Sequence, residues 1–398
     1  GNALAQEAAL WQSVLYPTDW TPAHSLPDGR FLHDFSYAGY RSGAKLPKVA
    51  GPEFVVQGLD ATGATDITDA LQRTIDRAGA KGGGVVRLPA GLYRCDGIVT
   101  IRTSGVVLRG DGPDKTRLFF NSMPKRGRGN HLSIAARIQS GTEAKLARNA
   151  SNRSRFVEVV KPDGLEVGQE IAIGWTITPE FVEEHGMTGT WKSFNGKWRP
   201  IFLRTITRID REQTPVRVHL DVPLRYPAQV RDGASVRPLK GYISECGIED
   251  LGIANAISWK AAWSRAGVHA IGLAGARDCW VRNVRSFPSP HPEAKGYHLQ
   301  NGGILVAQSR SVTIADCDLR KAQNRGGGGA GYLFEITRSN EILTRDCVGI
   351  AGRHNFIQNW DFGASGLVWL RCHSADSRSY KNILDPIGWP AYCEFHHS

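Results

Sequence analysis

Two series of short apolar segments recur through the second half of the chain and advance together. Segments of the first series begin 33, 33, 30 and 25 residues apart, at Ile248, Val281, Ile314, Thr344 and Trp369. Those of the second series are centred on Ile271, Ile304, Leu333, Phe356 and Ile383. A parallel β-helix produces this pattern because each coil stacks its strand about 4.8 Å from the previous one and aligns like residues. We therefore predict a solenoid of parallel strands.

A single helix and several short strands precede this repeat. The helix is indicated by Ile67, Ala70, Leu71, Ile75 and Ala78, which recur at helical spacing. Asp66 or Thr68 is available as the N-cap residue, and Gly79 lies near the end. The β-branched stretches 85–93, 98–101 and 106–110 follow and are separated by glycine turns. The pattern predicts one amphipathic helix followed by closely spaced strands.

The order of these elements resembles the opening of pectate-lyase-like right-handed parallel β-helix proteins. The resemblance lies within 54–112, in Asp66, Asp76-Arg77-Ala78, Gly84-Val85-Val86 and Leu88-Pro89-Ala90-Gly91-Leu92-Tyr93. It implies an all-β, single-stranded right-handed parallel β-helix whose first coil is capped by the helix. It also implies carbohydrate processing as a broad class, without specifying a reaction.

Four regions follow from these patterns. Residues 1–50 are predicted to be an extended segment that packs on the solenoid, and 51–160 to hold the capping helix and the first coils. Residues 161–240 are predicted to be a β-rich insertion or irregular coils, and 241–398 to form regular coils.

Positive charge is concentrated in one part of the chain. Of the formal net charge of +11, residues 102–161 contribute +9, from 13 Lys and Arg against 4 Asp and Glu. This patch, densest at Lys125, Arg126 and Arg128, would attract a polyanion or could be a solvated basic face. We expect an anionic polysaccharide partner and no nucleic acid, because no nucleic-acid-reading motif accompanies the charge. No apolar run is long enough for a membrane span.

Polar residues just before the second series of strands are the candidate site, because stacking would bring them into register along a groove. We expect catalytic roles for His354, Arg353, Tyr380 and Lys381. We expect substrate-binding roles for His298, Asn301, Tyr332, Asn355, Asp376, Arg378 and His373.

These residue types fit β-elimination on a uronic acid, which needs a base, a cation that stabilises the developing enediolate, and an acid for the leaving oxygen. His354 or Tyr380 could be base or acid, and Arg353, Arg378 or Lys381 could neutralise the substrate carboxylate. The main prediction is therefore a secreted or periplasmic polysaccharide lyase. A glycoside hydrolase or fructotransferase-like enzyme is one alternative, with carboxyl groups available at Glu335, Asp361, Asp376 and Asp385. A noncatalytic carbohydrate-binding or adhesion solenoid is the other.

Cysteines and Asp or Asn residues recur at fixed positions of the repeat, and we interpret both sets as structural. Cys317, Cys347 and Cys372 occupy the position of Leu251 and Val284 in the repeat, which predicts small buried apolar residues rather than disulfides or metal ligands. The residues Asp250, Asn283, Asp316 and Asp346 could bind Ca²⁺ or form turns, and we favour turns. Zinc spacing is missing from the sequence, so we disfavour zinc; we assign no metal-binding residue and no certain cofactor, with Ca²⁺ as the possible one. Ala3-Leu4-Ala5 resembles the end of an export signal.

Overall fold

The computed structural model describes residues 12–124, 129–191, 196–326, 329–359 and 362–378. The strands before the insertion are β1 (Glu53–Val55), β2 (Thr62–Asp66), β3 (Gly84–Arg87), β4 (Gly91–Cys95), β5 (Val99–Ile101), β6 (Val106–Arg109), β7 (Thr116–Phe120) and β8 (Asn130–Ala135). Those that follow are β9 (Gln139–Ser140), β10 (Ala144–Lys145), β11 (Phe156–Val159), β12 (Glu170–Thr176), β13 (Trp198–Asp210), β14 (Val216–Leu220) and β15 (Ser235–Lys240).

The remaining strands belong to the repeat that the sequence indicates. They are β16 (Ile243–Ser244), β17 (Gly247–Ala254), β18 (His269–Ala274), β19 (Ala276–Ser286), β20 (Gly302–Ala307), β21 (Arg310–Ala315), β22 (Asp318–Arg320), β23 (Tyr332–Thr337), β24 (Leu343–Arg345), β25 (Val348–Ile350), β26 (His354–Gln358), β27 (Val368–Leu370) and β28 (His373–Ala375). The α-helices are α1 (Thr68–Ala80), α2 (Pro179–Glu184) and α3 (Trp259–Ser264). In the described part of the chain, none of these helices has the length and hydropathy that a bilayer crossing requires.

Two parallel sheets form the solenoid. Sheet A has 15 strands and includes the order β1-β3-β6-β17-β19-β21-β24-β27, and sheet B has the order β5-β8-β18-β20-β23-β26. In each later coil, such as the one from Leu343 to Gln358, two strands join sheet A and one joins sheet B. The result is a parallel β-helix, which confirms the predicted fold class.

The first ladder of the sequence is confirmed residue by residue. Ile248 pairs with Val281, Val281 with Ile314, Ile314 with Thr344, and Thr344 with Trp369. Every described strand pair in sheets A and B is parallel. Hydrogen bonds to the neighbouring coils satisfy the backbone N–H and C=O groups that an isolated strand would leave unpaired.

The second ladder contains one register error in our sequence interpretation. Ile304 pairs with Phe334 rather than with Leu333, and Phe334 pairs with Phe356. The two phenyl rings stack at 4.7 Å with an interplanar angle of 5°. Leu333 and Phe334 are both buried in the core between the sheets, so hydrophobicity alone could not fix the register.

Helix α1 packs against the N-terminal strands of this solenoid. Leu71, Ile75 and Ala78 lie in the apolar core that also contains residues of β3, β5 and β6. The helix begins at Thr68, whose backbone N–H donates to Asp66 Oδ1 at 2.9 Å. Burial of one apolar face therefore orients the helix on the first coils.

Residues with positive φ recur at corresponding bends of sheet A, inside the long strands β17 and β19 and between the shorter strands of the later coils. Asp250, Asn283, Asp316 and Asp346 have φ of 59°, 50°, 56° and 54°, a region that Asn and Asp tolerate better than most residues. Asn283 Nδ2 also donates to Asp250 Oδ1 at 2.7 Å. These contacts fit the favoured turn role. No group of three or more metal-ligating side chains occurs among the residues the structure describes.

The ladder cysteines follow the same geometry. Cys317 and Cys347 are free and buried in the core, and Cys372 is free and half-buried. Burial raises the pKa of the Cys347 thiol well above its ordinary value. These side chains therefore pack as small apolar groups.

An antiparallel sheet interrupts the solenoid between β8 and β16. Sheet C contains β9 to β15 and begins at Gln139, before the boundary expected at residue 161, because β9 and β10 pair with β15 and β11 pairs with β14. Glu341, which is fully buried in a turn of the solenoid, accepts hydrogen bonds from Arg225 at 2.9 and 2.6 Å. Arg204 Nη2 lies 3.6 Å from Glu341 Oε1. A buried ion-pair network thus joins sheet C to the coils.

Candidate functional site

One row of residues crosses four neighbouring strands of sheet B. In this row His269 of β18 pairs with Gly302 of β20, Gly302 pairs with Tyr332 of β23, and Tyr332 pairs with His354 of β26. Adjacent strands lie about 4.8 Å apart. His269, Tyr332 and His354, which are far apart in sequence, therefore lie in one row at the start of their strands. We call this row the edge of sheet B.

His269 of this row contacts Glu335, which lies three residues after Tyr332 on β23. His269 Nε2 lies 2.8 Å from Glu335 Oε2, and both side chains are nearly fully buried. Asn359 Nδ2 donates to the other carboxylate oxygen at 2.5 Å. A Cβ at Gly302 would overlap the imidazole ring, so the missing side chain makes room for this pair.

Tyr332, Arg353 and His354 form a cluster beside the pair. Arg353 Nη1 donates to the Tyr332 hydroxyl oxygen at 3.0 Å, and the backbone N–H of Gly329 donates to the same oxygen at 3.1 Å. The His354 ring lies 5.4 Å from the Tyr332 ring. The structure thus brings together three of the residues that the sequence nominates.

Arg325 ties this cluster to the neighbouring turn. Its Nε donates to the Gly352 carbonyl at 3.0 Å and its Nη2 donates to the Asp376 carbonyl at 2.7 Å. Burial lowers the pKa of Arg325, while the Asp376 carboxylate acts in the opposite direction. The backbone N–H of Arg378 also donates to the Gly352 carbonyl, at 2.9 Å. Asp376 and Arg378 therefore lie at the edge of the cluster, and both are exposed.

Three nominated residues lie inside turns instead. Asn301 is fully buried and donates to the Ala262 carbonyl at 2.8 Å. Asn355 is fully buried and donates to Ser374 Oγ and to the Ala375 carbonyl. His298 is 7% exposed and bonds Ser286 Oγ through Nδ1 at 3.0 Å. These placements fit a role in holding the turns better than the substrate contact that we expected.

Burial gives His298 a predictable effect on stability. Desolvation, followed by the nearby charges of Lys321 and Arg320, lowers the pKa of His298 to about 4. The unfolded chain, with an ordinary histidine pKa, binds this proton more readily. Stability from neutral His298 is therefore complete above about pH 6.5 and is lost as the pH falls toward about 4.

We therefore expect the melting temperature of the His298→Gln variant to fall less between pH 6.5 and 4 than that of the wild type. Thermal melts across this range measure the difference. The control is His373→Gln, because His373 is exposed and should leave the wild-type profile unchanged. Parallel profiles for His298→Gln and wild type would contradict the assignment.

The other nominated residues lie elsewhere or outside the described ranges. His373 is exposed on β28, which pairs with β25 in sheet A rather than with a strand of sheet B. Tyr380 and Lys381 lie outside the described residues, as do Asp361 and Asp385. The densest part of the basic patch, Lys125, Arg126 and Arg128, lies outside them as well.

A cleft opens near the other end of sheet B. It has a volume of about 550 Å³, and its lining includes Ser122, Pro124, Asn130 and Ser133. Asn130 is in register with His269, so the cleft and the polar row share one sheet.

Two exposed tryptophans beside the cluster were missed in our sequence analysis. Trp259 and Trp263 lie on α3, and each is 50% exposed. Their spacing of four residues places both rings on one face of a helix. The Trp-Lys-Ala-Ala-Trp run in the sequence could have indicated this pair, but the two rings share a face only if the run forms the short helix.

The fold and this polar face define a parallel β-helix protein with a candidate site on sheet B. A family model described as rhamnogalacturonase A/epimerase, pectate lyase-like, matches residues 56–169. The match covers the region that carries the N-terminal resemblance, and the topology agrees with the parallel β-helix that this resemblance implied. No curated protein matches the chain.

Several solved structures are similar to this chain at low identity. The tailspike of Pseudomonas phage phi297 has a TM-score of 0.40 and 9% identity, over 82% of this chain and 65% of the tailspike. An exopolygalacturonase from Thermotoga maritima has a TM-score of 0.32 and 10% identity, over 78% of this chain and 57% of the enzyme. An iota-carrageenase bound to iota-carrageenan fragments has a TM-score of 0.38 and 10% identity, over 86% and 52% of the respective chains. The chain thus spans less than two thirds of each of these proteins.

Proposed function

We propose that the protein is an enzyme that acts on a polysaccharide and, more specifically, a lyase that cleaves an acidic, uronate-containing chain by β-elimination. The observation that carries this proposal is the cluster of Tyr332, Arg353 and His354 at one edge of sheet B. The family match, to a model named for enzymes of the pectate-lyase-like class, supports the broader part. A polysaccharide substrate would place the protein outside the cytoplasm, secreted or periplasmic.

The roles follow from the chemistry of each group. His354 takes the proton from the carbon next to the uronate carboxylate, and Arg353 neutralises the negative charge that develops on that carboxylate. The electron pair forms a carbon–carbon double bond as the bond to the leaving oxygen breaks. Positioned acid–base groups and a fixed cation are the main requirements of such a reaction.

The leaving oxygen needs a proton donor. Tyr380, the residue expected from the sequence, lies outside the described residues. Tyr332 is a second candidate, because its hydroxyl oxygen already accepts N–H groups from Arg353 and Gly329. A hydroxyl that accepts two hydrogen bonds retains its own proton for donation. We therefore assign the acid role to Tyr332.

Contacts of the described carboxylates support elimination over hydrolysis. A glycoside hydrolase usually places two carboxyl groups on either side of the bond. Glu335 instead pairs with the imidazole of His269, and Asp376 is exposed beside Arg325. The arrangement is better suited to moving a proton at a carbon than to two-carboxylate hydrolysis.

Incubation with polygalacturonate, alginate and hyaluronate tests the proposal. A lyase generates an unsaturated uronate whose conjugated double bond absorbs in the ultraviolet, and we expect this absorbance to rise with one of the polymers. New reducing ends without the absorbance would show hydrolysis and overturn the finer assignment. Binding without either signal would overturn the assignment as an enzyme on these polymers.

A further inference from the structure

Helix α3 presents a small aromatic surface to solvent. Trp259 and Trp263 are each 50% exposed, and their ring centroids are 6.0 Å apart with an interplanar angle of 33°. The Tyr297 ring lies 5.5 Å from Trp259. We call these three residues the aromatic platform. Exposing two neighbouring indoles to water is unfavourable, which makes the platform a candidate contact surface.

The platform is held in place by buried contacts beneath it. Ala262, between the two tryptophans in sequence, is fully buried, and its carbonyl accepts hydrogen bonds from Asn301 at 2.8 Å and Asn324 at 3.0 Å. Ser258 caps the helix by accepting the backbone N–H of Ala261 at 3.2 Å. The backbone that carries the indoles is therefore fixed before any ligand arrives, which lowers the entropic cost of binding.

The platform is continuous with the candidate catalytic cluster. A Cβ at Gly326 would overlap the Trp263 ring, so this indole packs directly on the Gly326 backbone. The preceding residue, Arg325, donates to the carbonyl of Gly352, which is followed in sequence by Arg353. A ligand chain that leaves the cluster along this edge would meet Trp263 and then Trp259.

We propose that Trp259 and Trp263 form a binding subsite that stacks on sugar rings of the polysaccharide, next to the residues that cleave it. This inference rests on the proposed function, because it takes the substrate of that same site as its ligand. The apolar faces of sugar rings pack on indoles, while the sugar hydroxyl groups remain in water. Two rings on a six-residue helix match one or two sugar units, whereas a stable protein partner would need a much larger contact.

The charges around the platform fit an acidic chain. Lys260 is exposed on α3 between the two tryptophans, and Arg325 lies between the platform and the cluster. An acidic sugar stacked on an indole would therefore remain near a cation. Stacking supplies contact area and these cations favour uronate over neutral sugar.

The test compares the Trp259→Ala/Trp263→Ala double variant with the wild type. We expect affinity electrophoresis in gels that contain polygalacturonate, alginate or hyaluronate to show retardation of the wild type and at least about tenfold weaker binding by the variant. On the polymer that is turned over, KM should rise about tenfold while kcat stays within about twofold, because stacking away from the reacting bond contributes uniform binding. Trp263→Phe should restore part of the affinity.

Tyr16→Ala is the matched control, since Tyr16 is an aromatic residue that is 53% exposed and packs on Trp20, far in sequence from the platform. It should bind and turn over the polymers as the wild type does. Unchanged KM and retardation in the folded double variant would overturn the subsite while leaving the proposed function intact. Loss of binding to anionic phospholipid vesicles in the double variant, with polysaccharide binding unchanged, would overturn it in favour of a membrane surface. No turnover by the wild type would count against the proposed function itself, whereas retardation lost in the double variant would still support the subsite.

Discussion

Replacing His354 with alanine is expected to reduce turnover by about a hundredfold to ten-thousandfold, the usual contribution of a positioned acid–base group. His354 opens β26, and its ring lies 5.4 Å from Tyr332, within the proposed catalytic cluster. The loss should appear in kcat, because proton removal occurs only in the transition state. Rates of formation of the unsaturated product, measured at saturating polymer, determine the effect.

His373→Ala provides the control for this experiment. His373 is exposed on β28 of sheet A, so its removal should change neither the rate nor the fold. Circular dichroism and a thermal melt should show that the His354→Ala variant is folded. A folded His354→Ala enzyme with a near-normal rate would remove His354 from the mechanism and direct attention to the His269–Glu335 pair.

Replacing Glu341 with alanine is expected to lower the free energy of unfolding by about 3–5 kcal/mol. Glu341 is fully buried and contacts Arg225 at 2.6 Å and Arg204 at 3.6 Å. Its loss would leave two guanidinium groups buried without this carboxylate, and desolvated charge is costly when its partner is removed. Urea unfolding, followed by circular dichroism, measures the change.

The surface ion pair of Asp114 and Arg285 provides the matched control. Asp114 Oδ2 lies 2.9 Å from Arg285 Nη1, but the Asp114 side chain is 78% exposed. Asp114→Asn should therefore change stability by only about 0–1 kcal/mol. Similar small effects of the two replacements would show that the Glu341 network does not stabilise the attachment of sheet C to the solenoid.

Much of the fold could be predicted from the sequence because each coil repeats the strand positions of the previous coil. The spacing of Ile248, Val281, Ile314 and Thr344 gave the register that the structure has. The same reasoning correctly assigned Cys317 and Cys347 to the core. The spacing did not fix the register at Leu333 and Phe334, because these adjacent residues are both apolar and both buried in the core.

The site was harder to predict because polar residues near a strand have two uses in a solenoid. Some, such as Arg353 and His354, lie at the start of a sheet B strand, while others, such as Asn301 and Asn355, are buried and donate to backbone carbonyls of α3 and β28. The residue types do not distinguish the two uses, since an asparagine can bind either a sugar or a backbone group. The hydrogen-bond partners separate the two uses, and those partners depend on the path of neighbouring segments of the chain.

The connections that return the chain to sheet B differ in length from coil to coil. Residues 255–268 lead into β18 and carry α3, whereas only 351–353 lead into β26. The strands nevertheless keep their register, because the hydrogen bonds between coils are made by the strands themselves. The face beside the candidate site can therefore change separately from the architecture: a longer or shorter return loop grafted into a single coil would alter that face without a redesign of the scaffold.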